Sequence, residues 1–325
     1  MYSTLKILRH PERLSEWMRL GHPVAPIGFD LHITNICPHK CPHCNGNKDG
    51  AAYGPSLSEL KGILSTWAGR VKGVNFCGGG EPLAREQVVN ILEYAKSLGY
   101  SVGLMTNLYK LPTEGALRLA RACTWIRVTL DAGTPEWYMK RHGVDAGEYG
   151  MVLLRLAELT ANKGDCTVGV GYLTDADTDI RDMQQAIREV QAAGADYIQF
   201  RPMNDSTATF ENLLPYWAAL HATDTIQVSY SKAKYAGIRE YQECHGARFW
   251  TTITATGDMR LCCETRDPRA IVGNVLKEGV EALWQRVPQA LASLDLANCP
   301  PTCHLSIYNT MLDGLAKPIL HEAHL

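Results

Sequence analysis

No stretch of this chain is apolar for long enough to cross a bilayer; even Met151 to Leu156 is interrupted by Arg155. A signal-peptide core is missing too, because charge and proline break the N-terminal run Met-Tyr-Ser-Thr-Leu-Lys-Ile-Leu-Arg-His-Pro-Glu-Arg. These absences exclude a membrane span and a secretory signal, and the expectation is a cytoplasmic protein with no membrane partner. Nor is there an excess of one charge: 32 Lys and Arg stand against 34 Asp and Glu, a net charge of -2. That argues against a broad phosphate-binding surface, but a local basic groove does not register in a sum, so nucleic acid is unsupported rather than excluded.

What is present is a chain of 325 residues, 46% hydrophobic and 20% charged, the profile of an ordinary globular protein. The length suits one barrel-sized domain with a smaller appendage. Cysteine is plentiful: there are 11, with three near the start and five after residue 243. In a reducing compartment these are metal ligands or core thiols rather than disulfides, and their clustering favours two metal sites. Cys77, Cys123 and Cys166 lie in strand or helix patterns and read as core thiols.

Cys37, Cys41 and Cys44 form a CxxxCxxC run directly after an apolar strand-like segment. A structural zinc site needs a fourth ligand to close its tetrahedron, and only His39 or His43 stands at a fitting spacing. A four-iron cluster has four corners, so three thiolates leave one iron open for something else to bind.

Around this loop the sequence alternates. Strand-like segments run over Gly28 to Thr34, Val71 to Cys77, Tyr100 to Thr106, Trp125 to Asp131, Thr167 to Leu173 and Tyr197 to Met203, with helical patterns between them. Ser56 and Glu59 form a capping box, and Ile180, Met183, Ile187 and Val190 mark one face of a helix that stops at Gly194. The alternation predicts an α/β fold with a parallel sheet, open or curled into a barrel, and ligands bind such sheets at the carboxyl ends of their strands. The cysteine loop, Gly78-Gly79-Gly80-Glu81, Thr106-Asn107 and Asp131 all fall there.

These residues resemble the radical S-adenosylmethionine (SAM) enzymes, whose fold is a partial (β/α)6 barrel of the TIM type. The resemblance makes Cys37, Cys41 and Cys44 the ligands of a 4Fe-4S cluster that binds SAM, and puts His43 where a ring packs near the adenine. Gly79, Gly80 and Glu81 match the motif that receives the methionine amino group. Glycines there admit close backbone approach, and a carboxylate or carbonyl accepts from an ammonium group. Thr106, Asn107, Thr129 and Asp131 take positions that contact the ribose or carboxylate, and Arg201 is a further candidate for an anionic group in the pocket.

The tail holds a second constellation. Phe249 to Thr254 and Met259 to Cys263 flank a Gly257-containing turn and predict a hairpin with Cys244 and Cys262 near its open end. Ile271 to Val275 leads to a helix with Leu283 and Trp284, and Cys299 and Cys303 close the set. This pattern is similar to the SPASM and twitch domains that hold auxiliary clusters. The resemblance implies one further 4Fe-4S cluster on Cys244, Cys262, Cys299 and Cys303, although the final pair is spaced CxxxC rather than CxxC and Cys262 adjoins Cys263. A zinc site on the same four thiols is the alternative. Cys263 is the spare thiol and a candidate hydrogen-atom donor to a substrate radical.

The expected organisation is an N-terminal helical extension (1–26), the barrel (27–240), a twitch/SPASM-like cluster domain (241–305) and a C-terminal tail (306–325). The expected activity is reductive cleavage of SAM to a 5'-deoxyadenosyl radical and abstraction of a substrate hydrogen, leading to oxidation, crosslinking or epimerisation. A flavodoxin- or ferredoxin-type donor supplies the electron. Twenty-six N-terminal residues are too few for the leader-binding domain of many peptide-modifying members. That turns weight toward a small molecule or nucleotide, or a peptide presented without an in-chain reader. The alternatives are a base-modifying enzyme of the same kind or a zinc-stabilised binding protein.

Overall fold

The computed structural model describes residues 5–44, 46, 53–203, 227–230, 239, 241–265, 267–300 and 303–317. After helices α1 (Leu5–Leu8) and α2 (Pro11–Leu20), strands and helices alternate: β1 (Gly28–His32), α3 (Leu57–Trp67), β2 (Gly73–Cys77), α4 (Val88–Ser97), β3 (Ser101–Thr106), α5 (Gly115–Ala122), β4 (Trp125–Thr129). Two helices, α6 (Pro135–His142) and α7 (Gly147–Ala161), precede β5 (Thr167–Thr174), then come α8 (Ile180–Ala192), β6 (Tyr197–Pro202) and β7 (Gln227–Tyr230). The C-terminal part adds β8 (Trp250–Ile253), β9 (Asp258–Arg260), β10 (Ile271–Asn274), α9 (Val275–Glu278), α10 (Val280–Trp284), α11 (Val287–Ala292) and α12 (Ser306–Ala316).

All ten strands form one sheet in the order β10-β9-β8-β1-β2-β3-β4-β5-β6-β7. Strands β1 to β7 run parallel in chain order, β8 joins β1 in parallel, and β9 and β10 are antiparallel additions. The period-2 pattern of each strand explains its placement. Phe29, Leu31, Val74, Phe76, Val102, Leu104, Ile126, Val128, Val168, Val170, Ile198 and Phe200 are buried in one core with helix residues such as Trp67, Leu92, Leu119, Leu156 and Met183. The alternate residues, including Asp30, His32, Asn75, Cys77, Met105, Arg127 and Thr129, lie on the other face. A sheet covered by helices on both faces reads as continuous apolar runs; this one is apolar only outward, so its polar face turns inward onto a lumen. The fold is thus a partial barrel.

The amino ends of the strands are plugged. The ring of Trp250 fills the space beside Gly28, that of Trp125 the space beside Gly103, and that of Tyr197 the space beside Gly169; a Cβ at any of the three glycines would come within 2.3 Å of the ring. Access to the lumen therefore lies at the carboxyl ends, where the cysteine loop sits.

The capping box is present, with the Ser56 hydroxyl accepting from Glu59 N (3.2 Å) and Glu59 Oε2 accepting from Ser56 N (2.6 Å). The structure differs from expectation in three places. A seventh parallel strand, β7, follows β6. Ile271 to Asn274 forms a strand of its own, β10, before the expected helical stretch begins at Val275. Residues 306–316, expected as tail, form α12, because Leu312 and the neighbouring Tyr308 and Met311 pack against Trp17 and Phe249. His321 and His324 lie outside the described residues. No helix among the described residues is long and apolar enough to cross a membrane.

Candidate active site

The backbone beyond β1 keeps the course of the strand, and the loop after β2 pairs with it: Gly80 N donates to Thr34 O and Glu81 N to Ile36 O, both at 2.8 Å. This pairing is tight enough to admit only glycine. A Cβ at Gly79 would lie 2.1 Å from Asn35 Oδ1, one at Gly80 2.3 Å from Ile36 O, and one at Gly46 2.3 Å from Gly79 O. The glycine run thus forms a floor in direct contact with the cysteine loop. Asn35, between them, has both amide atoms buried without a hydrogen-bond partner. A buried, unsatisfied amide beside a glycine cradle suits a polar ligand.

Glu81 is 4% exposed, and both its oxygens are engaged. Oε1 accepts from the Thr106 hydroxyl (2.6 Å) and Leu83 N (2.9 Å), and Oε2 from Asn107 N (2.7 Å). With three accepted bonds, this carboxylate clamps the end of β2 to the end of β3. Burial pushes its pKa up to about 7, against the pull of these hydrogen bonds. Asn107 extends the rim by directing Nδ2 toward Cys37 Sγ at 3.8 Å.

The opposite side of the cysteine loop is tied to β4 and α6. His43 Nε2 lies 3.7 Å from Asp131 Oδ2, and Asp131 Oδ1 accepts from Leu173 N at 2.6 Å. Burial alone would raise the Asp131 pKa, but His43, the charge of His142 and the Leu173 N–H together hold it below the ordinary carboxylate value. Asp131 has φ of 53°, a left-handed turn that aspartate tolerates better than most residues. His142, at the last position of α6, stacks on Tyr138, contacts Leu130 O through Nε2 (2.9 Å) and brings Nδ1 to 3.6 Å from Cys41 Sγ and 3.2 Å from His39 Nδ1.

The three thiols influence one another as a group. Burial is the main reason that Cys37 is pushed up to about 11 and Cys41 to about 12; Cys44 adds to both, Glu81 to Cys37, and Asp131 and Cys37 to Cys41. Mutually repelling thiolates beside two carboxylates are a donor set that a polycationic centre would stabilise, so these residues fit an iron cluster. His39, Cys41 and His142 also bring one ligand atom each within 4.8 Å of one another. A single ion held there would use only one of the three loop thiols.

The tail thiols are electrostatically linked too: Cys244 raises Cys262, both raise Cys303, and Cys299 raises Cys244. Burial is the largest cause at each, with Cys262 pushed up to about 12. Asn309 Nδ2 points to Cys244 Sγ (3.7 Å) and Leu305 N to Cys303 Sγ (3.4 Å), N–H donors of the kind that suit metal-bound thiolates. Glu264 and His304, joined at 2.9 Å, adjoin Cys303. Cys263 turns the other way. It sits by Asp30 and Cys77, on the lumen side, where solvent reaches it.

Sequence reasoning missed several residues of this site. Asp30, Asn75, Cys77 and Arg127 occupy the polar alternate positions of β1, β2 and β4, and that alternation was the available signal. Cys77, expected in the core, faces the lumen instead. Asn35 and His142 carried no local signal, because each joins the site through tertiary contacts. Thr129 lies opposite Gly171 across the β4–β5 ladder. Arg201 has its guanidinium beside the same Gly171.

Residues 31–187 match the family model described as the radical SAM superfamily. The mycofactocin maturase MftC of Mycobacterium ulcerans (strain Agy99) is 25% identical over 285 residues, covering 81% of this chain and 76% of that protein. PqqA peptide cyclase of Bradyrhizobium diazoefficiens is 35% identical over 100 residues, 30% of this chain and 26% of that protein. Among solved structures, Streptococcus suis SuiB bound to precursor peptide SuiA superposes with a TM-score of 0.68 at 11% identity, covering 94% of this chain and 77% of that one. The structure of anSMEcpe with bound AdoMet gives 0.62 at 14% identity, covering 82% and 83%. At these identities the structural likeness speaks to the fold alone.

Proposed function

Because this chain belongs to the radical SAM superfamily, we propose that it modifies a peptide by hydrogen-atom abstraction, using a SAM-binding cluster on Cys37, Cys41 and Cys44 and an auxiliary cluster on Cys244, Cys262, Cys299 and Cys303. The observation that carries the reading is the convergence, at one rim of the lumen, of three coupled thiols, the glycine floor and the Glu81 clamp. When bound, a four-iron cluster with SAM on its open iron supplies the electron that cleaves the sulfonium to methionine and a 5'-deoxyadenosyl radical.

The residues of the chain have the remaining tasks. Gly79 and Gly80 let ligand and backbone approach closely, and Glu81 holds Thr106 and Asn107 in place at the ligand edge. His43, braced by Asp131, offers a ring face to the adenine, and Thr129 lines the same wall. The lumen walls exclude water from the radical, and Cys263 is positioned to return a hydrogen atom to the substrate. An auxiliary cluster near the lumen would accept an electron where the net reaction is an oxidation. The peptide class is supported by the relative whose name carries a peptide, PqqA peptide cyclase. That selects the peptide from the three substrate classes left open by the sequence, a small molecule, a nucleotide or a peptide.

The test is anaerobic reconstitution. About eight irons per chain are expected for two four-iron clusters. Adding SAM and reductant should release 5'-deoxyadenosine, and Cys41→Ala should abolish that release. A second reading for the tail rests on Glu264, Cys303 and His304 lying together: zinc held by mixed ligands. Four irons with one zinc would favour it, and zinc with no iron would sink both proposals.

A further inference from the structure

Helix α12 turns a polar stripe onto the segment that carries Cys244. Ser306, Asn309 and Asp313 follow one another at helical spacing along one side of it, and all three are at most 9% exposed. Each has a partner in that segment. Ser306 Oγ lies 3.0 Å from the Tyr241 hydroxyl, Asp313 Oδ1 3.7 Å from His245 Nε2, and Asn309 Oδ1 accepts from Gly246 N at 2.6 Å. The approach at Gly246 is tight, since a Cβ there would lie 3.1 Å from Leu305 Cβ and 3.2 Å from Asn309 Oδ1. With its oxygen held on Gly246, the Asn309 amide turns Nδ2 to Cys244 Sγ at 3.7 Å and to the Tyr241 hydroxyl. Ala247 N donates to the same sulfur. A buried amide of this kind is fully hydrogen-bonded, and one of its donors is directed at a sulfur, which accepts weakly as a thiol and strongly as a metal-bound thiolate.

We propose that Asn309 is a positioning residue of the auxiliary centre: its N–H···S bond holds Cys244 as a cluster ligand and raises the reduction potential of the cluster bound there. The inference rests on the reading of Cys244, Cys262, Cys299 and Cys303 as cluster ligands, and adds what fixes and poises them. It also moves α12 from the tail into the cluster domain, because the partners of its polar stripe are Tyr241, Cys244, His245 and Gly246. Groups that hydrogen-bond to a ligand orient it and tune the metal it holds. Reduction makes an iron-sulfur cluster and its thiolates more negative, so an N–H donor aimed at one of the sulfurs stabilises the reduced form over the oxidised one.

The test uses the full-length chain reconstituted with iron and sulfide, with the SAM-site cluster as internal reference. Asn309→Asp keeps the acceptor for Gly246 N and the size of the side chain, and replaces the N–H donor by a charged oxygen. Redox titration followed by electron paramagnetic resonance, and the rate at which a ferrous chelator strips iron, are compared with wild type. The second cluster should titrate at a lower potential with the first unchanged, and about half of the iron should leave roughly tenfold faster or more, as loss of a charge-assisted hydrogen bond implies. Ser306→Ala loosens the same helix face without touching the sulfur, and should change neither quantity. Where Asn309→Asp retains no second cluster, the neutral Asn309→Leu is read in its place; loss of that cluster from both, with Ser306→Ala retaining it, supports the proposal. The proposal is overturned if the Asn309 variant keeps the wild-type potential and release rate. It is also overturned if Ser306→Ala shifts both as far, because helix packing alone would then account for the change. About four irons in the wild-type chain would sink the two-cluster reading and this proposal with it, a result distinguished from the others because it appears before any substitution.

Discussion

Replacing Glu81 by Gln tests whether the rim is held by a buried carboxylate, and the structure supplies both the sign and the size of the effect. Glutamine keeps the shape but turns one oxygen into an NH2 group that must face Thr106, Leu83 or Asn107, all of which donate to Glu81. At least one buried hydrogen bond is lost, and at the acid end, where the Glu81 acceptor is neutral, this costs about 0.5–1.5 kcal/mol. The pH dependence then runs opposite to that of a salt-bridged acid. Burial lifts the carboxyl from its ordinary 4.5 to about 7, so between those values the folded chain holds a proton that the unfolded chain has released. The stability this group contributes is full below pH 4.5 and is lost as pH rises through 7. At ~1.4 kcal/mol for each pH unit between the two values, the loss is roughly 3 kcal/mol. Glutamine does not titrate. The stability gap, wild type minus Glu81→Gln, should therefore be widest near the acid end and fall by roughly 3 kcal/mol, changing sign, above about pH 8. Urea unfolding of the cluster-free chain, with the two proteins compared at each pH so that every other group cancels, reads this gap. A gap that is constant or widens with pH would refute burial as the dominant influence on Glu81.

Gly80→Ala places a methyl group 2.3 Å from Ile36 O, so the loop must move. A cost of roughly 1–3 kcal/mol is expected, with reduced iron at the first cluster; full iron content and an unchanged melting midpoint would contradict the glycine floor. Cys262→Ala should lower iron by about four per chain while Cys263→Ala retains it. In the Cys263 variant the substrate radical should no longer receive hydrogen from the protein, seen as lost solvent-deuterium incorporation; normal incorporation would remove Cys263 from the donor role. Ser56→Ala breaks the capping box of α3 on an exposed face and should cost about 1 kcal/mol with SAM cleavage unchanged, read by melting and by 5'-deoxyadenosine release.

The cysteine loop, the glycine run and six parallel strands were legible because each is written in contiguous residues: a fixed thiol spacing, a floor that no side chain can enter, and period-2 runs of Val, Ile and Phe. Strand β7 was not, since Gln227–Tyr230 is four residues long and gains its place only by pairing with β6. Helix α12 was missed for a similar reason: it packs on Trp17 and Phe249, far away in sequence. The three protein partners of Glu81 were not legible, because they come from the following turn and from β3.

The sequence alone thus determined the radical-SAM-like core, its alternation of parallel strands with helices and the thiols available for metal, since spacing and alternation are properties of neighbouring residues. Only the tertiary structure decided what those thiols and the lumen face. It set His142 against Cys41, turned Cys262 toward Cys303 and Cys263 toward Asp30, and brought Arg127 and Arg201 to one glycine. Each of these depends on the register between strands and on the packing of α6 and α12. Contacts between residues tens of positions apart form only when burial of the common core has fixed those elements in place.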